Sequence, residues 1–190
     1  MIRTLKFACL IALALTGGAA ADDAKVWAAL RGDGNVALIR HAAAPGPAGD
    51  PAGYRLDDCK TQRNLSEQGR TEARALGERF RTERVKVGKV VTSQWCRCRQ
   101  TAELMNIGEV ADAPEFNNAY VLSPQRGALT DGARATIAAW RGPGTLVVAT
   151  HGDNINALMG FHPAEGEVVV VAPDPAAARK MRLIGRIGRN

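Results

Sequence analysis

Apolar positions along the chain follow two rhythms. Compact apolar runs at residues 35–39, 85–92, 145–149, 167–172 and 181–187 predict strands, because each is short, rich in Val, Ile or Leu and bounded by polar or turn residues. Between them the spacing lengthens to that of a helix. Residues 24–31 form a short helical segment stopped by Gly32, and Ser66 caps a longer one reaching about Arg84. In that second helix Ala73, Leu76 and Phe80, with Ala75, make an apolar stripe opposite Glu67, Arg70, Glu78 and Arg81. Further helices are predicted over 95–106, ended by Gly108, from an Asp131 cap to Arg141, and over 154–159. Strands alternating with helices predict an α/β fold, a three-layer α/β/α arrangement on a mostly parallel central sheet. Residues 42–63 carry Pro45, Pro47, Pro51 and three glycines, too broken for regular structure. They predict a long surface loop, a length that is usually functional.

The N-terminus follows neither rhythm. Arg3 and Lys6 precede an uncharged run from Phe7 to Thr16, then Gly17, Gly18 and Ala19-Ala20-Ala21. A positive start, a short apolar stretch and an A-x-A site make a cleavable signal peptide over residues 1–21, cut after Ala21, with one domain over 22–190. The apolar run is too short to span a bilayer, so stable membrane insertion is not expected. Cys9 stands at the start of that run, the wrong place for a lipoprotein cleavage site. The protein is expected in the periplasm or outside the cell. Arg3 and Lys6 are lost with the peptide, so the formal charge of +6 for the whole chain falls to +4. The arginines are spread rather than clustered, and no basic stripe is interleaved with aromatics, which argues against a nucleic-acid partner. An oxidising compartment favours disulfides. Of the remaining Cys59, Cys96 and Cys98, one bridge from Cys59 to Cys96 or Cys98 is expected, leaving a third thiol unpaired.

The candidate chemistry sits where strands end. Arg40-His41, Ser93 with Arg97 beyond it, and His151 each follow an apolar run, and ligands of open α/β sheets bind at the carboxyl ends of strands. Two imidazoles and two guanidiniums with no obligatory carboxylate partner ask for a multiply charged anion, and arginine forks match phosphate oxygens. Metal binding is not expected: there is no H-x-H, no H-E-x-x-H and no histidine pair at helical spacing, and two arginines would repel a cation. His162, before Pro163, reads as a surface loop residue.

Four segments resemble the histidine phosphatase superfamily, in its order. Leu38-Ile39-Arg40-His41-Ala42 is similar to its R-H-G or R-H-A signature, and Asn64-Leu65-Ser66-Glu67-Gln68-Gly69 to its L-[ST]-E-x-G element. Ser93 to Ala102 is similar to S-x-x-x-R-x-x-Q-T-A, and Thr150-His151-Gly152 to the late H-G element. The resemblance implies a phosphoglycerate mutase-like fold and a phosphatase that needs neither metal nor other cofactor. His41 would be the nucleophile that forms a phosphohistidine, while Arg40, Arg97 and His151 hold the phosphoryl oxygens. Arg63 resembles an additional phosphate-side arginine, and Gly152 would border the substrate.

One expected part is missing. Where the phosphoglycerate mutase branch places a proton-donating Glu, this chain holds Asn118, and the acid-phosphatase branch has an Asp directly after the second His, where Gly152 stands here. Asp153, also a possible N-cap of the next helix, and Glu115 are the candidate proton donors. Without a donor an alkoxide would leave slower by about 10²–10⁴-fold. The expected substrate is a small phosphorylated molecule, with the phosphorylated sugars of an outer-membrane lipid as one class. The alternative is a weak or inactive module that binds phosphate or an anionic glycan on the same fold.

Overall fold

The computed structural model describes residues 17–174, 176–177 and 180–189. Six strands form one sheet: β1 (Val36–Arg40), β2 (Val87–Thr92), β3 (Val110–Asp112), β4 (Thr145–Thr150), β5 (Val168–Pro173) and β6 (Met181–Ile187), in the order β3-β2-β4-β1-β5-β6. β3, β2, β4 and β1 run parallel, while β5 pairs antiparallel with both β1 and β6. The central strands are apolar throughout because both faces are covered. Ala37 and Ile39 of β1 pack with Val26, Trp27 and Leu30 of α1 (Gly17–Leu30), Leu76 and Phe80 of α2 (Glu67–Thr82), and Ala102 and Met105 of α3 (Cys96–Met105). Val36 and Leu38, one residue out of phase, pack with Ala133 and Ile137 of α4 (Arg126–Ala139) and Ile155 and Leu158 of α5 (Gly152–Met159). The result is the three-layer α/β/α arrangement, the side-chain alternation of β1 dividing its residues between the two helical layers.

Several boundaries differ from the sequence reading. β3 is a three-residue edge strand, too short to show a period. α4 begins at Arg126, continuing a 3-10 turn at Ser123–Gln125 that has Pro124 in its first turn, so Asp131 lies exposed inside the helix and does not cap it. α3 is ended by Asn106 in the left-handed conformation (φ 49°) rather than by Gly108. His151 occupies the N-cap position of α5, so Asp153 belongs to the first helical turn and is not the cap. The expected cut after Ala21 falls inside α1, and residues 1–16 of the expected signal peptide lie outside the described residues.

The disulfide is Cys59–Cys96, and Cys98 is free and buried. It ties the segment after β1 to the first residue of α3. No described helix is long and apolar enough to cross a membrane.

Candidate active site

β1 carries Arg40 and then His41 out of the core at the carboxyl edge of the sheet. The His41 backbone N–H donates to the Thr150 carbonyl at 2.9 Å, which extends the β1–β4 register by one residue and brings the two strand ends together. The next peptide is fixed from α3: Ala42 N–H donates to Thr101 Oγ at 3.1 Å, and that hydroxyl donates to the Arg97 carbonyl at 2.7 Å. α2 closes in behind. A Cβ on Gly69 would stand 2.1 Å from the Ala43 carbonyl oxygen, and Ser66 both caps α2 through Gly69 N–H and donates its own backbone N–H to that carbonyl. The spacing of Ser66 and Gly69 thus serves a close approach of α2 to the loop after His41.

His41 Nδ1 lies 2.9 Å from the Ala42 carbonyl, which can only accept. Nδ1 therefore holds the ring proton and Nε2 keeps its lone pair. Burial, then the charges of Arg97, Arg63 and Arg40, push the His41 pKa down to about 3 against the pull of that carbonyl, so the ring is neutral at pH 7.

Arg97, fully buried on α3, is held by a residue that pattern reading passed over. Its Nη1 and Nη2 donate to the two carboxylate oxygens of Asp50 at 2.7 and 3.1 Å, a bidentate fork in which neither side chain reaches solvent. Asp50 also accepts Trp95 Nε1 at 2.9 Å and the Arg63 backbone N–H at 3.0 Å. Burial alone would raise the Asp50 pKa; Arg97, Arg63 N–H and Trp95 outweigh it and hold it low. The expectation of guanidiniums with no carboxylate partner is thereby corrected: within the mostly exposed loop 42–63 Asp50 goes underneath, because a buried guanidinium needs a counter-charge.

His151 Nδ1 faces Arg97 Nη2 at 3.5 Å, so it accepts, and Nε2 donates to Ser93 Oγ at 2.9 Å. Ser93 in turn donates to Asn117 at 3.3 Å. Burial and the same three arginines, with His41, keep this ring neutral, its pKa well below the usual value. The rings of His41 and His151 meet edge to face at 5.6 Å. Cys98 packs 3.4 Å from His151 Nε2, and burial pushes its thiol up to about 12, so it is inert.

Arg40 and Arg63 complete the cationic wall. Arg40 donates through Nη1 to the Pro163 carbonyl at 2.8 Å, and its Nη2 lies 3.5 Å from Glu165. Arg63 donates through Nε to the Gly49 carbonyl at 3.2 Å, through Nη1 to the Ala44 carbonyl, and approaches the same Glu165 oxygen at 3.6 Å. Burial and the neighbouring Arg97 lower the Arg63 pKa. Gly152 lies against Arg40: a Cβ there would stand 3.4 Å from Arg40 Cδ, Nε and Nη1, in ordinary contact. Arg40 and Arg97 each retain a buried Nε–H with no partner.

These groups line one cavity of about 200 Å³, together with Asn118, Tyr120, Gly152, Asp153, His162 and Glu165. Arg40, His41, Arg63, Arg97 and His151 are all on its wall, as is Asp153. Glu115 is not among them: its carboxylate accepts from Thr136 of α4 at 2.6 Å, away from the cavity. His162, read as a surface loop residue, is exposed and stands on the cavity wall. Asn118 uses its carbonyl oxygen on the backbone N–H groups of Tyr120 and Val121. Asp50, Glu165 and Tyr120 had no signature to find them by, since each lies in an irregular segment; the one available signal was the need for counter-charges to three buried or half-buried arginines. Among the described residues no group of three or more His, Cys, Asp or Glu is placed to hold a metal.

The model of the histidine phosphatase superfamily (branch 1) matches residues 36–116. Among solved structures the chain is similar to phosphoglycerate mutase from Thermus thermophilus (17% identity, 82% of this chain and 99% of that one, TM-score 0.58) and to the mycobacterial glucosyl-3-phosphoglycerate phosphatase (16%, 78% and 96%, 0.56). It is also similar to the protein histidine phosphatase SixA complexed with tungstate (19%, 82% and 97%, 0.52). These likenesses describe the fold. No curated protein matches the chain.

Proposed function

We propose that this member of the histidine phosphatase superfamily hydrolyses a phosphomonoester or phosphoramidate through a phosphohistidine on His41. The observation that carries the reading is a neutral, buried imidazole with a free Nε2 lone pair, beside two guanidiniums whose buried Nε–H groups lack a partner. Unmet buried donors are costly, and a phosphoryl group would satisfy them. His41 Nε2 attacks phosphorus and the ester or amidate bond breaks; water then attacks phosphorus and the P–N bond breaks, returning neutral His41 and inorganic phosphate. Arg40, Arg97 and Arg63 stabilise the charge that develops on the phosphoryl oxygens, in a site that is already built. His151 keeps Arg97 in place by accepting from its Nη2 at Nδ1. Guanidiniums fill the role a metal would take, so the reaction should proceed in EDTA.

Export through residues 1–21 fits the Cys59–Cys96 bridge, since disulfides persist in oxidising compartments. A cavity of about 200 Å³ suits a small phosphorylated group, and the phosphorylated sugars of the bacterial envelope are the proposed substrate class. Steady-state hydrolysis of p-nitrophenyl phosphate from pH 4 to 8 in EDTA tests the reading. The expected outcome is turnover by the wild type and a loss on the order of 10³-fold or more in His41→Ala. Equal inactivity of both, with phosphate still raising the wild-type Tm, would make the protein a phosphate-binding module instead.

A further inference from the structure

We infer that Glu165 is the proton donor for the leaving group, an inference that rests on the phosphatase reading above. Glu165 precedes β5 in a turn that wraps the end of β1: the Gly166 backbone N–H is shared between the Arg40 and His41 carbonyls at 3.1 Å each. Its carboxylate lines the cavity, 24% exposed, with one oxygen 3.5 Å from Arg40 and 3.6 Å from Arg63 and the other accepting Ala44 N–H at 3.4 Å. Both ion pairs are at the long end of their range. Glu165 thus stands as the anion between the two arginines that a phosphoryl group would claim.

Docking of a phosphoryl dianion exchanges those partners. Arg40 and Arg63 turn to the phosphoryl oxygens, and Glu165, released by both and left beside two negative charges, takes up a proton from solvent as the substrate docks. Of the other charged and titratable groups around it, Arg97 is bound to Asp50, His41 and His151 are neutral, and His162 and Asp153 line the same cavity. Attack by His41 Nε2 then breaks the P–O bond while the Glu165 carboxyl passes its proton to the departing oxygen. In the second half Glu165 carboxylate takes a proton from the attacking water as the P–N bond breaks, and it gives that proton up to solvent when phosphate leaves and the pairs with Arg40 and Arg63 re-form. Asp153 also lines the cavity, in the first turn of α5, without a partner and without an ion pair to Arg40 or Arg63, so it serves as the comparison in the test. Glu115 is committed to Thr136.

The test is leaving-group dependence. Wild type, Glu165→Gln, Glu165→Asp and Asp153→Asn are compared on p-nitrophenyl, phenyl and ethyl phosphate, with the rise of Tm in phosphate reporting the integrity of the cavity. Glu165→Gln should lose about 10²–10⁴-fold in kcat/KM, which reports the steps through P–O cleavage, on ethyl phosphate and far less on p-nitrophenyl phosphate, whose leaving group needs no proton. Glu165→Asp should recover part of the loss on ethyl phosphate, and its own slope against leaving-group pKa decides the matter if Glu165→Gln does not fold. Asp153→Asn should lose the same factor on all three. An equal loss on every ester in Glu165→Gln, or a leaving-group dependence carried by Asp153→Asn, overturns the assignment while leaving the phosphatase reading intact. A wild type inactive on all three esters overturns that reading and this inference with it.

Discussion

The two halves of the anion site are built differently. Arg97 belongs to the core: its side chain and that of Asp50 are fully buried, and Asp50 accepts four hydrogen bonds from Arg97, Trp95 and the Arg63 backbone at 2.7–3.1 Å. Arg40 and Arg63 share one partly exposed carboxylate at 3.5 and 3.6 Å. Under the proposed function the pocket takes up and releases an anion in every cycle, which calls for one wall that keeps its shape and another whose partners can change. Here the fixed wall is tied to α3 and the exchangeable one to the turn before β5.

Breaking the fixed wall should cost most. Asp50→Ala leaves Arg97 buried without its counter-charge, and removing one partner of a buried pair costs about 3–5 kcal/mol. Glu165→Ala, which removes a partly exposed acceptor, should cost about 1 kcal/mol or less. Urea titration of both variants gives the comparison, and phosphate affinity should fall with Asp50→Ala because Arg97 is no longer held against His151. Equal costs for the two variants would mean that the halves do not differ.

The next effect concerns the bridge that supports the fixed wall. Cys59–Cys96 joins the segment carrying Asp50 and Arg63 to the residue before Arg97, with a sequence separation of 37. In the chain-entropy model a loop of that length contributes roughly 3–4 kcal/mol. Cys59→Ser should lower stability by that amount and raise KM for p-nitrophenyl phosphate, since Arg63 and Asp50 lose their tether. A variant equally unstable but with unchanged KM would show that the bridge serves the fold alone.

How far these features were legible in the sequence depends on what positions them. His41, Arg97 and His151 stand just past apolar strands or in the helix that follows, so periodicity alone placed them at one sheet edge. Ser66 and Gly69 were legible as a cap and a small residue, and the structure adds why: Ala43 passes too close for a Cβ. Asp50 and Glu165 lie in segments without period, and their positions follow from charge balance in three dimensions, which no one-dimensional pattern carries. The start of α4 was misplaced for a related reason: Asp131 looks like a cap, but Pro124 and its turn start the helix earlier.

Per pH unit, the smallest effect is the one that tests the chemistry of both halves at once. His41, with its pKa lowered to about 3, and His151, lowered well below 6.5, are neutral in the folded protein, while in the unfolded chain both take up a proton near pH 6.5. Their contribution to stability is therefore complete above pH 6.5 and is lost as pH falls, because the unfolded state binds more protons. Each histidine should contribute a slope of about 1.4 kcal/mol per pH unit below about pH 6. Asp50, whose pKa is lowered, adds its own loss only below its ordinary value of 3.8, outside this window. Urea midpoints at pH 7, 6 and 5 should fall steeply in the wild type and about half as steeply in His151→Ala, whatever that variant's stability at pH 7. Equal stability at pH 7 and 5 would mean that the folded histidines take up protons as readily as the unfolded ones, and His41 Nε2 would then not be the free lone pair on which attack at phosphorus depends.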